Sequence, residues 1–340
     1  MKNQPSFRCA LVGCGAISEM HLMPLAERND VQVVALVDPL TERAEQKRQN
    51  YAPNARVYAD YTDMLEKEKP DAVHICTPHY LHAAMACEAM ARGIAVFLEK
   101  PMSISEEEIA RLLDVEKRTN GRCCVCFQNR FLPRTLELYR LVAEHGGAKA
   151  CFGQIVWSRD AEYYLSSGWR GSYKTEGGGV MINQAIHTLD LALGLLGKPT
   201  ELTATTANRH LTDVIEVEDT CELHAQFDGG KTLLFYATTA HARSAPISLE
   251  TVCCDGTVYL LRDQGLYEEK GGVCRQIPMP ALPNLPVGKS DWGFGHSGLI
   301  SRFYDALKAG DGMPITLESA SLAVRTLLTA YRSKGQKIKF

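Results

Sequence analysis

The sequence predicts an α/β domain on a parallel sheet, followed by an α+β domain on an open, largely antiparallel sheet. Three observations carry that reading. The first third alternates short apolar runs with helix-compatible segments, the pattern of strands joined by helical crossovers. After Phe131 the texture changes, and runs of strand character follow one another across turn signals. The length of 340 residues also exceeds what one core ordinarily serves, since domain sizes peak near roughly 100–150 residues. The expected division is 1–128 and 129–340.

Each element follows from its residues. Residues 8–13 form an apolar run fit for a buried strand, and 16–27 a helix. A second strand at 31–37 ends in Asp38 and leads to a charged, helix-compatible stretch at 41–51. Strands at 72–76, 94–98 and 122–127 alternate with helices at 82–92 and 105–119. The 94–98 run passes directly into Glu99, Lys100 and Pro101. Such an alternation gives a parallel sheet covered on both faces. Beyond Phe131 a helix at 133–144 precedes a strand at 150–159, and a glycine run at 177–179 opens an apolar helix at 181–196. Strands then follow at 201–207, 218–227, 232–239, 247–254 and 257–262, with turn signals between them. A proline-rich stretch at 278–292 leads to helices at 298–309 and 317–331.

Composition narrows the partners. With 45% hydrophobic and 23% charged residues and a net charge of -3, there is no electrostatic footprint for nucleic acid or an anionic membrane. No uncharged apolar run approaches the roughly 18 residues of a transmembrane helix, and the first residues enter a strand without a signal-peptide pattern. The 12 cysteines look like core filling: Cys9, Cys14, Cys76, Cys151 and Cys221 sit in or beside apolar runs, where a free thiol behaves as a small hydrophobe. Cys123, Cys124 and Cys126 lack a second pair at metal-site spacing. His74, His79, His210, His241 and His296 show no ligand spacing either, so no metal is expected. An unpatterned, cysteine-rich chain of this length implies a reducing, cytoplasmic home.

The first strand runs into Gly13, Cys14, Gly15, Ala16, Ile17 and Ser18. Gly13 would permit a tight turn. Gly15 would let the backbone approach a pyrophosphate at the N-terminus of the next helix, where Ala16 and Ile17 stand. Ser18 replaces the usual third glycine, a position that governs helix-to-strand packing. Asp38 lies 25 residues after Gly13, at the end of the second strand, where an acid accepts from ribose hydroxyls and repels a 2′-phosphate. A Rossmann domain for NAD is therefore expected, with NADP the weaker choice. Arg43 lies near enough in sequence to serve a phosphate or an adenine.

With ALVGCGAIS, ICTPHYLHAAMACEAMARGIAVFLEKP, WRGSYKTEGGGVMINQAIHTLDLALGLLG and GHSGLISRFYDAL, the chain resembles the glucose–fructose oxidoreductase, inositol dehydrogenase and MocA (Gfo/Idh/MocA) family over nearly its whole length. EKP followed by GGGxxxNQxxH is its most specific mark. The resemblance implies an active site at the domain cleft. Thr77, Pro78 and His82 would lie beside the cofactor, Glu99 would hold the nicotinamide ribose, and Lys100 would be the active-site lysine, against both cofactor and substrate. Gln128 and Arg130 would lie near cofactor and substrate, Trp169 and Arg170 would cover the pyrophosphate, and His187 would be the catalytic histidine. A homodimer or homotetramer through the exposed face of the antiparallel sheet is implied as well. Inositol-type members carry aspartate where this chain has Asn183; its NQxIH form is closer to members that oxidise the 3-hydroxyl of sugar nucleotides or related glycosides.

The chemistry expected is hydride transfer between NAD and a secondary ring hydroxyl of a sugar, sugar derivative or inositol. Asn183 and His187, four apart on one helix, would share a face. His187 would act as general base in oxidation and general acid in reduction, with Lys100 stabilising the developing alkoxide or serving as base. Asn183 can hydrogen-bond to a hydroxyl or to Lys100, but cannot take a proton. Tyr163, Tyr164 and Lys174 could touch substrate, and Asp190 is read as a helix anchor. Specificity is expected from the loops after Arg130, from residues 163–174, and from His210, His241 and Trp292; Arg159 or Arg209 could serve a diphosphate. Two rivals stand beside this reading: an enzyme that cleaves glycosides by transient 3-oxidation, and a non-catalytic NAD-binding regulator.

Overall fold

A computed structural model of the chain describes residues 6–280 and 294–340. Its elements begin β1 (Phe7–Val12), α1 (Ser18–Glu27), β2 (Val31–Val37), α2 (Thr41–Tyr51), β3 (Arg56–Tyr58), α3 (Tyr61–Glu68), β4 (Ala72–Ile75), α4 (His79–Ala91), β5 (Ala95–Leu98), α5 (Glu106–Thr119) and β6 (Cys123–Val125). A 3-10 turn at Gln128–Phe131 leads to α6 (Pro133–Glu144), β7 (Ala148–Val156) and α7 (Ala161–Leu165). A π-helical turn at Met181–Ala185 continues into α8 (Ile186–Leu196). There follow β8 (Pro199–Ala207), β9 (Thr220–Phe227), β10 (Thr232–Thr238), β11 (Ser248–Cys253), β12 (Val258–Arg262), β13 (Gly265–Lys270) and β14 (Val273–Ile277). The chain closes with α9 (Phe294–Ala309), α10 (Leu317–Ser333) and β15 (Ile338–Lys339).

The described residues form two compact units, one holding those through Gln128 together with 294–320, the other 129–280 together with Ser321–Phe340. This corrects the expectation that all of 129–340 belongs to the second domain. The reason is packing within the first unit: α9 lies against α1, and Arg28 reaches Ser301 Oγ (2.9 Å) and Asp305 Oδ1 (3.2 Å). Arg122 likewise donates to the Ala306 carbonyl at 2.8 Å.

In the first unit six strands lie in the order β3-β2-β1-β4-β5-β6, all parallel. The order reverses between β1 and β4, and the crevice at such a reversal is where open α/β sheets bind ligands. β4 and β5 are buried at every residue, as strands covered on both faces must be. The helix ends are chemically marked. The Ser105 hydroxyl accepts from the Glu108 N–H at 3.2 Å, acids fill the first turn of α5 and Lys117 and Arg118 its last, which suits the helix dipole.

The second unit carries nine strands in the order β14-β13-β12-β11-β7-β10-β9-β8-β15. β7 and β10 run parallel and the other pairs antiparallel. α8 packs on β7 and β10. Several details depart from the sequence reading. β3 and α3 fill a stretch given no element, and β13 and β14 form a hairpin turned by Gly271 and Gly272, at φ of 60° and 77°. α4 starts at His79, directly after Pro78, and α9 at Phe294. β7 ends at Val156, with only an isolated bridge from Ser158 to Ala240 beyond it. Trp292 lies outside the described residues.

Candidate functional site

In the first unit the turn after β1 is shaped for close approach. Gly13 has φ of 87° and donates its N–H to the Val37 carbonyl at 2.8 Å. A Cβ there would meet the Cys76 carbonyl carbon and oxygen at 2.6 Å, so only glycine fits. A Cβ on Gly15 would meet nothing within 4 Å, leaving open space beside the mouth of α1. Ala16 is exposed there and Ile17 half-buried. The buried Ser18 donates its hydroxyl to the Gly15 carbonyl at 2.6 Å and so closes the turn. Asp38 is buried, and its carboxylate accepts from the N–H groups of Cys14 and Leu40, both at 2.9 Å. A fixed acid beside an open glycine cradle fits the adenosine end of NAD. Arg43 stands exposed in the first turn of α2.

At the end of β5, Glu99 and Lys100 are both buried, Lys100 at 7% exposure. Glu99 Oε1 lies 2.9 Å from His21 Nε2 and 3.3 Å from His296 Nε2, while Oε2 accepts the Lys100 N–H at 3.3 Å. Burial pushes the Glu99 carboxyl up, but the hydrogen bonds from the two imidazoles outweigh it and hold it well below the usual carboxylate range. The inner end continues through His21 Nδ1 to His74 Nδ1 (2.9 Å) and from His74 Nε2 to the Tyr304 hydroxyl (3.1 Å). Burial lowers both His21 and His74. The neutral chain therefore has one consistent polarity: Tyr304 donates to His74, His74 to His21, and His21 to Glu99. His21, Glu99, Cys126 and His296 bring ligand atoms within 4.8 Å of one another. That donor set could suit a zinc-class ion, but here the carboxylate already accepts from imidazole, and burial raises the Cys126 thiol well above its ordinary value.

The second unit presents Asn183 on the π-turn and His187 just inside α8. A π-turn inside a helix recurs at functional sites. Asn183 is buried and donates Nδ2–H to Glu176 Oε1 at 2.5 Å; Glu176 Oε2 accepts the Gly171 N–H at 2.6 Å. The neighbouring Gln184 donates to the Tyr163 hydroxyl at 3.0 Å. The guanidinium carbons of Arg159 and Arg170 lie 5.0 and 4.4 Å from the Tyr163 ring centre, and Arg170 also lies 5.3 Å from that of Trp169. Beneath the glycine run, Glu218 accepts from the N–H groups of Gly179 (2.8 Å) and Met181 (3.0 Å) and from the Tyr331 hydroxyl (2.9 Å). Burial nevertheless pushes its carboxyl up to about 7. His187 is half-buried.

Two family models cover most of the chain. Residues 7–127 match the Gfo/Idh/MocA oxidoreductase family's NAD-binding Rossmann fold, and 141–259 its C-terminal domain. The chain belongs to the Gfo/Idh/MocA family. Among similar Gfo/Idh/MocA proteins, D-glucoside 3-dehydrogenase of Escherichia coli (strain K12) is 29% identical over 65% of this chain and 62% of its own length. Inositol 2-dehydrogenase of Rhizobium meliloti (strain 1021) is 30% identical over 59% of this chain and 58% of its own length. The alignments thus span about three fifths of these relatives. A structure of the WlbA dehydrogenase from Bordetella pertussis, in complex with NADH and UDP-GlcNAcA, superposes with a TM-score of 0.85 at 25% identity, covering 100% of this chain and 99% of that one.

Within this Gfo/Idh/MocA chain, the first unit holds Gly13, Gly15, Ala16, Ile17, Asp38, Arg43, Thr77, Pro78, His82, Glu99, Lys100 and Gln128. The second holds Arg130, Tyr163, Trp169, Arg170, Lys174, Asn183 and His187. Two of these side chains have fixed partners. His82, expected beside the cofactor, is buried with both ring nitrogens on main-chain carbonyls, Pro101 at 2.7 Å and Thr77 at 2.8 Å. It ties two loops together. Arg130, expected at the substrate, grips Asp190 with a two-pronged contact at 2.7 and 2.5 Å, so Asp190 anchors α8 through it. Gln128 is buried, and Thr77 and Pro78 are half-buried. Trp169 accepts the Thr175 hydroxyl on its carbonyl, and Lys174 is exposed. The sequence marked none of His21, Tyr304, Glu176 and Glu218, and singled out His74 only to set it aside as a metal ligand. Their partners are distant in the chain, except that Glu176 directly precedes the glycine run and could have been marked on that ground.

Proposed function

We propose that this protein transfers a hydride between NAD and a secondary ring hydroxyl of a sugar, sugar derivative or inositol. The observation that carries the reading is a buried lysine, Lys100, at the carboxyl end of β5 in the NAD-binding sheet, where such sheets place their reactive ligands. Bound NAD supplies the hydride acceptor or donor. His187 takes the hydroxyl proton in oxidation and returns it in reduction, a task suited to a group whose ordinary pKa is about 6.5. Lys100 donates a hydrogen bond to the same oxygen and stabilises its developing charge. Asn183 hydrogen-bonds to substrate, and the His21–Glu99 pair holds the Glu99 carboxylate ionised beside Lys100. Asp38 selects NAD over NADP. All 12 cysteines are free thiols and ten are buried, which supports a reducing cytoplasmic setting, and no described helix is long and apolar enough to cross a membrane.

The test is the absorbance of reduced nicotinamide when the protein meets NAD with methyl glucoside, myo-inositol, free hexoses and UDP-glucose. Lys100→Ala and His187→Ala are each expected to lower turnover by about a hundredfold or more with NAD binding retained, and dialysis against EDTA to leave it unchanged. Turnover that survives both substitutions overturns the assignment. Cleaved glycoside without net NADH would point to transient 3-oxidation. Neither outcome with any compound would leave an NAD-binding regulator.

A further inference from the structure

The segment between β7 and the glycine run gathers positive charge without an opposing acid. Arg159 and Arg170 share the Tyr163 ring, and the Arg159 guanidinium carbon also lies 5.0 Å from the ring centre of Trp157. Both arginines are half-buried, and an arginine keeps its charge in any protein setting. Among the described residues the Arg159 side chain makes one hydrogen bond, from Nη1 to the Ser158 carbonyl at 2.8 Å. The Arg170 side chain makes one as well, from Nη1 to the Tyr163 carbonyl at 3.3 Å. The Nε of each is buried with no partner among these residues, and no carboxylate of theirs pairs with either arginine. The neighbouring Asp160 turns Oδ1 to the Tyr163 N–H at 3.0 Å. Ring faces ease the burial of the charge, but they supply no oxygen to the N–H fork of a guanidinium. A second observation marks the same place. Gln184 is 4% exposed and donates Nε2–H to the Tyr163 hydroxyl, while its Oε1 is buried with no partner among the described residues. Buried polar atoms ordinarily have one.

We propose that Arg159, seated on Trp157 and Tyr163, binds an oxyanion carried by the substrate, a carboxylate or a phosphate, so that the carbohydrate taken by this protein is an acidic one. The proposal deepens the reading that the second unit receives a sugar, and rests on it. The family resemblance gives Arg170 to the cofactor's pyrophosphate. Arg209 reaches Glu222 at 3.4 Å, so of the two arginines considered for a diphosphate only Arg159 stands without an acid. Tyr163 ties the anion to the reacting end: its ring holds Arg159, and its hydroxyl meets Gln184, next to Asn183 on the π-turn. An arginine held between aromatic rings is pre-organised, and its fork matches the oxygens of a carboxylate or phosphate. A neutral sugar leaves that charge unanswered, which makes the position selective.

Kinetics on matched compounds test this: methyl glucuronide against methyl glucoside, and glucose 1-phosphate and UDP-glucose against glucose. The wild type is expected to favour an acidic compound over its neutral counterpart by about tenfold or more in kcat/KM. Arg159→Gln should cut that ratio by about tenfold to a hundredfold, through KM rather than kcat. Arg159→Lys, which keeps the charge but not the fork, should fall between. The compound that shows the preference names the source, carboxylate or phosphate.

A wild type that favours the neutral compounds overturns the proposal before any variant is made. So does a ratio that Arg159→Gln leaves unmoved, whether turnover falls equally on both members or the Kd for NAD rises instead. If the wild type turns over nothing, the functional reading has failed, and melting with each acidic compound and its neutral counterpart decides the anion site separately. A rise in Tm with the acidic compound that Arg159→Gln loses would keep the site as one for an oxyanion; no rise would remove it.

Discussion

At the scale of single residues, the parts of the site legible in the sequence are those whose meaning is local. Gly13, Gly15 and Asp38 could be read because a tight turn, a backbone approach and a strand-end acid all sit within one strand–turn–helix–strand unit. The partners of His82 and Arg130 were not legible in the same way, because the carbonyl of Pro101 and the carboxylate of Asp190 come from elsewhere in the chain. Asp38 supports a sharp prediction. Its carboxylate is pre-aimed by the Cys14 and Leu40 N–H groups, so little is lost in orienting it toward a ribose. Losing a charge-assisted hydrogen bond costs about 1.5–3 kcal/mol. Asp38→Ala should therefore raise the Kd for NAD by about tenfold to a hundredfold, and it should narrow the preference over NADP because no acid remains to repel a 2′-phosphate. Titration calorimetry with both cofactors checks this; unchanged discrimination would remove Asp38 from cofactor choice.

Among the elements, the apolar run at 181–196 correctly announced a helix, but nothing in its residue types announced the π-turn at Met181–Ala185. Tertiary demands accompany that widening. Gly179 passes so close to the chain at Glu218 that a Cβ would lie 1.8 Å from the Glu218 carbonyl oxygen, and the Glu218 carboxylate takes the Gly179 and Met181 N–H groups that open the helix. A buried acid raised to about 7 from an unfolded value of about 4.3 binds its proton more tightly in the native state. Its linked stability is thus fully present below about pH 4.3 and is lost as pH rises through about 7, by an amount on the order of 3 kcal/mol. Comparing wild type with Glu218→Gln isolates that contribution from the other titrating groups. Between about pH 5 and pH 8 the wild type should lose more stability than the variant in denaturant melts; parallel curves would show that Glu218 does not titrate in this range. The same carboxylate positions the turn carrying Asn183, so the pH dependence of this element bears on the site as well as on the fold.

At the scale of the whole molecule, β10 is informative because it is apolar on both faces. An antiparallel strand with one solvated face normally alternates, whereas a strand covered on both sides reads as a continuous apolar run. The segment Thr232–Thr238 has the sequence TLLFYAT, and α8 lies against its inner face. On the other face Leu234 and Tyr236 stand 47% and 40% exposed, with Phe152, register partner of Leu234 on β7, at 41%. Polar neighbours on that face, Gln154 and Glu222, show the alternation from which these three depart. Apolar side chains gathered on a sheet face rimmed by polar ones mark a surface that associates, and a two-fold pairing of identical faces satisfies that demand with one kind of contact. We propose that the protein is a homo-oligomer joined through this face. Leu234→Glu should then convert a dimer or tetramer to smaller species in light scattering. Because Leu234 is already half outside the core, the variant should keep NAD affinity and a cooperative melt. A wild type that is monomeric at every concentration tried, or a variant that keeps the wild-type mass, would mean that the exposed apolar residues of β7 and β10 serve some other end than self-association.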